Sequence, residues 1–224
     1  MSSSLSRTMS TSIAVTALLT AGQIVRAQFL PVASYSMPNG DGQAAGGAFN
    51  YWDDTYTGTG NRTQDRAFLS GGLGQLTDGI VGANDWRANL GNGPAHEWVG
   101  WRNFNPTITF DLGSLVQLSA VQVHANNSNI GLVSLYSSMT VAFSADGVSY
   151  SNPQTFTTSP AQLANGSARF IDWNLSSPVP ARFVNLTFTR SNEWTFISEV
   201  RFVPTPSAAT LLATAGLIVF RRRR

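Results

Sequence analysis

The stretch Thr107-Ile108-Thr109-Phe110-Asp111-Leu112-Gly113 sets Ile108, Phe110 and Leu112 against Thr107, Thr109 and Asp111. Alternation with period two is the mark of a β-strand with one buried face, and the glycine closes it. Working outward, the same alternation returns at Val121 and Val123, and again at Met139, Val141 and Phe143 ahead of an Asp146-Gly147 turn that leads into Val148 and Tyr150. Ile171, Trp173 and Leu175 share a face, as do Val184, Leu186 and Phe188, and Val200 with Phe202 closes the series. A short strand is also expected at 32–37. No segment beyond the N-terminal run sustains a 3.6-residue period. Strands with one apolar face must bury it against a second sheet, so the expected fold class is all-β, an antiparallel β-sandwich.

Composition narrows the function. The chain has 224 residues with 14 basic and 12 acidic side chains and no cysteine; every basic residue is arginine. A basic balance invites a nucleic-acid partner. Arg7 and Arg26 lie in the first 27 residues, however, and Arg221 to Arg224 are the last four. The stretch between keeps eight arginines and all the acidic residues, so it is mildly acidic, and no nucleic-acid partner is expected.

The ends read as targeting segments. Arg7 precedes an apolar run from Ile13 to Val25, and Val25-Arg26-Ala27 precedes Gln28, the layout of a signal peptide over 1–27 cleaved after Ala27. At the other end Val203-Pro204-Thr205-Pro206-Ser207 leads into an apolar run from Ala208 to Phe220 closed by four arginines. The prolines stop the strand, and the run is a marginal transmembrane anchor held by positive charge. This arrangement over 203–224 resembles the PEP-CTERM sorting signal of bacterial envelope proteins, with Thr205 where the family name has Glu. The likeness implies recognition by export and sorting machinery, removal of the 204–224 segment, and delivery to the cell surface or an extracellular matrix, with membrane contact only before processing. A domain over 28–203 remains, large enough to do without disulfides.

The order of the motifs carries a second resemblance. Leu76-Thr77-Asp78-Gly79 is followed by Trp86, then by residues 107–113, then by Ser144-Ala145-Asp146-Gly147-Val148-Ser149-Tyr150. Ala181-Arg182-Phe183-Val184-Asn185-Leu186 and Trp194-Thr195-Phe196-Ile197-Ser198-Glu199-Val200 complete it. This succession over about 67–203 resembles the discoidin, or coagulation factor V/VIII type C, domain of the galactose-binding-like superfamily. The resemblance implies a jelly-roll. It also implies a structural Ca²⁺ ion near Asp78 and Glu199, with backbone carbonyls near Gln75, Ile80 and Ser198 as further donors; such hard oxygen ligands suit this cation. The alternative is that Asp78 caps a turn and Glu199 satisfies loop amides.

Little in the chain suits catalysis. His96-Glu97-Trp98-Val99-Gly100 begins like a zinc-protease helix, but Gly100 stands where the second histidine ligand belongs. His124 is the one other histidine, and lysine, cysteine and the Gly-x-Ser-x-Gly motif are missing. No spacing singles out a carboxylate pair among Glu97, Glu193, Glu199 and the aspartates. Asp111 and Asp146 flank turns, where a short carboxylate bonds backbone amides. His124 shares the outward phase of Gln122 and is expected at the surface.

Sugar binding needs an aromatic platform beside short polar groups, and Arg190-Ser191-Asn192-Glu193-Trp194 supplies both in one loop. Related carbohydrate-binding modules use loops at one sandwich end, which makes Arg190, Asn192 and Trp194 the leading candidates. His96, Trp98, Trp101 and Arg102 would form the opposite wall. Core packing at a strand start is the competing role for Trp194. The expectation is an exported, non-catalytic module whose partner is an extracellular polysaccharide or glycan; the alternative is a structural envelope or biofilm protein without a saccharide pocket.

Overall fold

The computed structural model describes residues 29–42, 49–83, 85–88 and 97–206. His96, the expected signal segment and all but the start of the expected sorting segment lie outside the described residues. The strands are β1 Ser34–Pro38, β2 Phe68–Gly72, β3 Val99–Arg102, β4 Thr107–Ala125, β5 Ser138–Ser144, β6 Ser151–Thr157, β7 Arg169–Thr189 and β8 Trp194–Pro204. Every strand pairing among them is antiparallel.

Two long strands organise the sandwich. The stretch around Phe110 and the stretch around Val123 were expected as separate strands, yet they form one β4 of 19 residues; likewise Ile171 to Leu175 and Val184 to Phe188 belong to one β7 of 21 residues. The first half of β4 pairs with β1 and with the second half of β7, while its second half pairs with β8 and with the first half of β7. One layer is therefore β2-β1-β4-β7-β5-β6, and the other is β3-β8-β4-β7.

The register between β4 and β7 slips between Asp111 and Val116, where the sheet folds over. Gly113 supplies the left-handed backbone there, at φ 76°, and its N–H donates to Asp111 Oδ1 at 2.7 Å. Arg182 clamps Asp111 from the facing strand, with Nε and Nη2 at 2.9 and 3.0 Å from the two carboxylate oxygens. Asp111 thus does more than close a turn. Asp146 does close one: it accepts the Val148 and Ser149 N–H groups, which holds its carboxyl down at about 2.

The core lies between the layers. Phe110 meets Phe202 with ring centroids 5.1 Å apart, and Phe156 meets Trp173 at 5.2 Å, each pair joining one layer to the other. Ile108, Val141, Leu186 and Val200, all expected to face inward, are buried. At about 25 cal/mol per Å² of apolar surface removed from water, this burial is the main stabilising term. Helix is minimal: a 3-10 turn Trp86–Ala88 and α1 Pro160–Ala164, started by a Ser159/Gln162 capping box that alternation does not reveal.

The outer face of β8 is covered as well. Val200 N–H donates to Leu76 O at 2.8 Å, Gly79 N–H to Glu199 Oε2 at 3.2 Å, and Gly82 N–H to Ser198 Oγ at 3.1 Å. The segment after β2 thus lies along the strand. Beside it His124 is buried, stacked on Trp98 with centroids 5.4 Å apart and edged by Phe170 at 4.9 Å. That corrects its expected surface position: alternation names the face but not what covers it.

Candidate functional site

Because β4 and β7 fold at their middles, their four ends gather at the end of the sandwich opposite the Asp111–Arg182 corner. A cavity of about 280 Å³ opens there. β8 contributes Trp194 and Phe196, β3 contributes Arg102, and the 3-10 turn contributes Trp86; Phe49, Tyr51, the loop 131–133 and Glu193 complete the described lining.

Each wall has a local cause. Trp194 starts β8, its N–H donating to Leu132 O at 3.1 Å, so the 126–137 loop is tied to the strand. Its ring stacks on Phe196 with an interplanar angle of 10° and meets Tyr51 edge-on at 5.2 Å. Trp86 Nε1 donates to Ile130 O at 3.1 Å. The ring of Trp86 also lies on Gly131, where an added Cβ would meet Cζ2 at 2.5 Å. Asn129, Gly131 and Leu132 all have left-handed backbone, with φ 54°, 67° and 64°. For a leucine that conformation costs about 1–2 kcal/mol, the kind of strain found at ligand clamps. Its outcome is that Ile130 and Leu132 project as apolar groups, each about half exposed (52% and 51%).

Polar groups are few. Arg102 Nε and Nη2 each lie 3.1 Å from Glu193 Oε2, and the guanidinium carbon is 6.0 Å from the Trp194 ring centroid. Tyr51 is buried, and its hydroxyl has no hydrogen-bond partner among the described residues. Burial, and then the nearby Asp85 charge, push that hydroxyl above the usual phenol range.

The sequence-expected residues divide. Trp194 and Arg102 line the cavity; Trp194 is 9% exposed, so it is a wall with one face covered rather than an open platform. Arg190 and Asn192 sit on the adjoining loop, where Arg190 Nη1 donates to Asn192 O at 3.0 Å, and neither lines the cavity. Trp101 is a correction: it lies wholly in the main core with Nε1 donating to Pro38 O, and so walls nothing. Trp98 is a correction too, since it is fully buried behind the cavity against Tyr51, Trp194 and Phe196. Sequence reasoning missed Tyr51 and the 130–133 loop, and took Trp86 only as one motif in the succession. A signal for the loop is Asn129-Ile130-Gly131-Leu132, two large apolar residues on either side of a glycine inside a polar loop.

The second candidate lies on the outer face of β8. Glu199 Oε1 accepts from Arg201 Nε at 3.2 Å, and burial raises its carboxyl to about 7. Asp78 Oδ1 accepts from Ile80 N–H at 2.8 Å, and burial raises its carboxyl as well. The two carboxyls are near enough for the charge of Asp78 to raise Glu199 further. Gln75 is buried and Ile80 exposes its side chain, leaving its carbonyl as the usable group, while Ser198 Oγ is committed to Gly82 N–H and to His124 Nδ1 at 2.7 Å. The donors are hard oxygens carrying negative charge raised in energy by burial, which fits Ca²⁺ in chemistry. Among the described residues, no group of three or more His, Cys, Asp or Glu side chains gathers as a metal cluster.

An antiparallel sandwich folded over two long strands, with its loops gathered at one end, defines a discoidin-type domain. The chain belongs to the family of the discoidin domain-containing receptor 1/2 DS-like domain, whose model matches residues 31–204. Discoidin domain-containing receptor tyrosine kinase B of Caenorhabditis elegans is 30% identical over 172 residues, covering 75% of this chain and 20% of that protein. Epithelial discoidin domain-containing receptor 1 of Homo sapiens is 29% identical over 178 residues, covering 76% and 19%. The chain thus spans about a fifth of the length of these curated relatives. Among solved structures, the C-terminal domain of a chitobiase from Bacteroides fragilis is similar with a TM-score of 0.47 at 14% identity, covering 80% of this chain and 98% of that one. The CBM32 of AlyQ in complex with 4,5-unsaturated mannuronic acid gives a TM-score of 0.36 at 23% identity, covering 47% and 75%.

Proposed function

We propose that this protein is an exported, non-catalytic binding module that recognises a carbohydrate of the cell surface or extracellular matrix through the cavity walled by Tyr51, Trp86 and Trp194. The observation that carries the reading is the combination in that cavity of aromatic walls with the Arg102–Glu193 pair at one end of the sandwich. Aromatic rings take the C–H face of a sugar, and a guanidinium beside a carboxylate offers both donors and acceptors to its hydroxyl rim. Export rests on the signal-like 1–27 segment, and retention on the sorting-like segment over 204–224. A structural Ca²⁺ held by Asp78, Glu199 and neighbouring carbonyls is part of the same proposal; bound there, it would neutralise the carboxyls that burial raises.

The test is titration of the full chain with fragments of extracellular polysaccharide, for wild type and Trp86→Ala. Trp86 is half-buried and packs against the second aromatic cluster, so its removal leaves the main core in place. The reading expects binding to fall at least ten-fold with unchanged strand content by circular dichroism and a folded protein at the titration temperature. Equal binding by the two proteins overturns the site.

A further inference from the structure

The lining of this cavity is more apolar than a plain sugar requires, and the mismatch says what kind of sugar it takes. Trp86, Trp194, Phe196 and Val133 offer carbon, and the exposed Ile130 and Leu132 continue that surface outward. Among the described lining residues the charged groups are Arg102 and Glu193, which are paired with each other and together carry no net charge. An anionic sugar would have to displace Glu193 from Arg102, and a cationic one would have to displace Arg102 from Glu193. Either exchange gives up that pair, a modest cost because both side chains are partly exposed to water. At about 280 Å³ the cavity holds about one ring with a small substituent, and it opens to solvent at its mouth.

We infer that the cavity selects a neutral sugar residue carrying a methyl-ended substituent, an acetamido or 6-deoxy group, with the methyl lodged among Trp86, Leu132 and Val133 and the ring hydroxyls at Arg102 and Glu193. This rests on the carbohydrate reading of the same cavity. Beneath the aromatic lining the Tyr51 hydroxyl is fully buried, so the polar groups open to a ligand are Arg102 and Glu193. The strained Leu132 is the specificity element. It is held by the Trp194 N–H to Leu132 O bond and projects its side chain at the mouth, where it buries a methyl rather than building the core.

The experiment is saturation-transfer and titration NMR on the full chain with N-acetylglucosamine, fucose, glucose and glucuronic acid, together with a phenylalanine-containing tetrapeptide as an apolar probe. N-acetylglucosamine or fucose should bind about ten-fold more tightly than glucose or glucuronic acid, with the ligand methyl protons receiving the largest saturation. Leu132→Asn, which tolerates the same left-handed backbone, should erase that preference while plain sugar binding persists. Glucose or glucuronic acid binding as well as the methyl-bearing sugars overturns the inference and leaves the carbohydrate reading standing. No sugar binding at all, or binding of the tetrapeptide alone, overturns both.

Discussion

Asp111 and Arg182 pair through two parallel N–H···O contacts across the fold of the sheet, where β4 and β7 each pass from one layer to the other. The geometry is bidentate, and Arg182 holds the Asp111 carboxyl below its ordinary range. Its contribution is present above the unfolded carboxylate pKa and is lost as pH falls through the lowered one. Asp111→Asn should lower the unfolding midpoint by a few degrees at pH 7, and the gap from wild type should narrow only once pH falls below the ordinary carboxylate pKa of about 3.9. A gap that stays constant with pH would assign the loss to something other than this pair.

His124 gives the opposite handle on pH. Burial, and then Arg201, pull its imidazole from 6.5 to about 4, so the folded domain keeps it neutral. A depressed histidine contributes stability that is whole above about pH 6.5 and disappears as pH falls toward about 4. The difference in unfolding midpoint between wild type and His124→Gln should therefore shrink across that window when both are followed by circular dichroism. A difference flat in pH contradicts the buried neutral state.

Gly131 is where the cavity wall is most sensitive. It has positive φ, and its missing side chain is the space that Trp86 occupies. Gly131→Ala should cost more than about 1 kcal/mol and displace the Trp86 ring, read as a red-shifted tryptophan emission at unchanged strand content. An unchanged emission maximum would mean that the ring does not rest on this glycine.

Removal of divalent cation tests the outer face of β8. If Ca²⁺ binds between Asp78 and Glu199, chelator should lower the unfolding midpoint of wild type, and Asp78→Asn and Glu199→Gln should each abolish the difference. A cation present at a hundred times its Kd adds about 2.7 kcal/mol. Identical melting with calcium and with chelator removes the ion from the account.

The fold was legible because alternation is a local signal: Ile108 with Phe110, Val141 with Phe143, and Leu186 with Phe188 each name a buried face within a few residues. Continuity through the corner was not legible, because Gly113 reads as a strand end when it lies within β4, and nothing between Leu175 and Val184 marks one continuous β7. The site was legible in half. Trp194 and Arg102 stood out as aromatic and charged residues next to strands. Tyr51, Trp86 and Leu132 come from three separate segments brought together by the gathered strand ends, and no spacing in the chain announces that meeting. Trp98 and Trp101 misled for the same reason. Trp101 of β3 turns into the main core, and Trp98, just before β3, lies in the second aromatic cluster, so neither ring faces solvent.

Trp194→Ala would remove a packed ring and cost about 3–5 kcal/mol, confusing binding with folding. The most direct test therefore leaves the protein unaltered. The six tryptophan indole N–H resonances are followed by ¹⁵N NMR while wild type is titrated with a neutral N-acetylated oligosaccharide. The account predicts that the Trp86 and Trp194 resonances shift together and saturably while those of Trp52, Trp101 and Trp173 stay in place. Saturable shifts confined to Trp52, Trp101 or Trp173, or no shift at all, would contradict the claim that this cavity is where the domain holds its ligand.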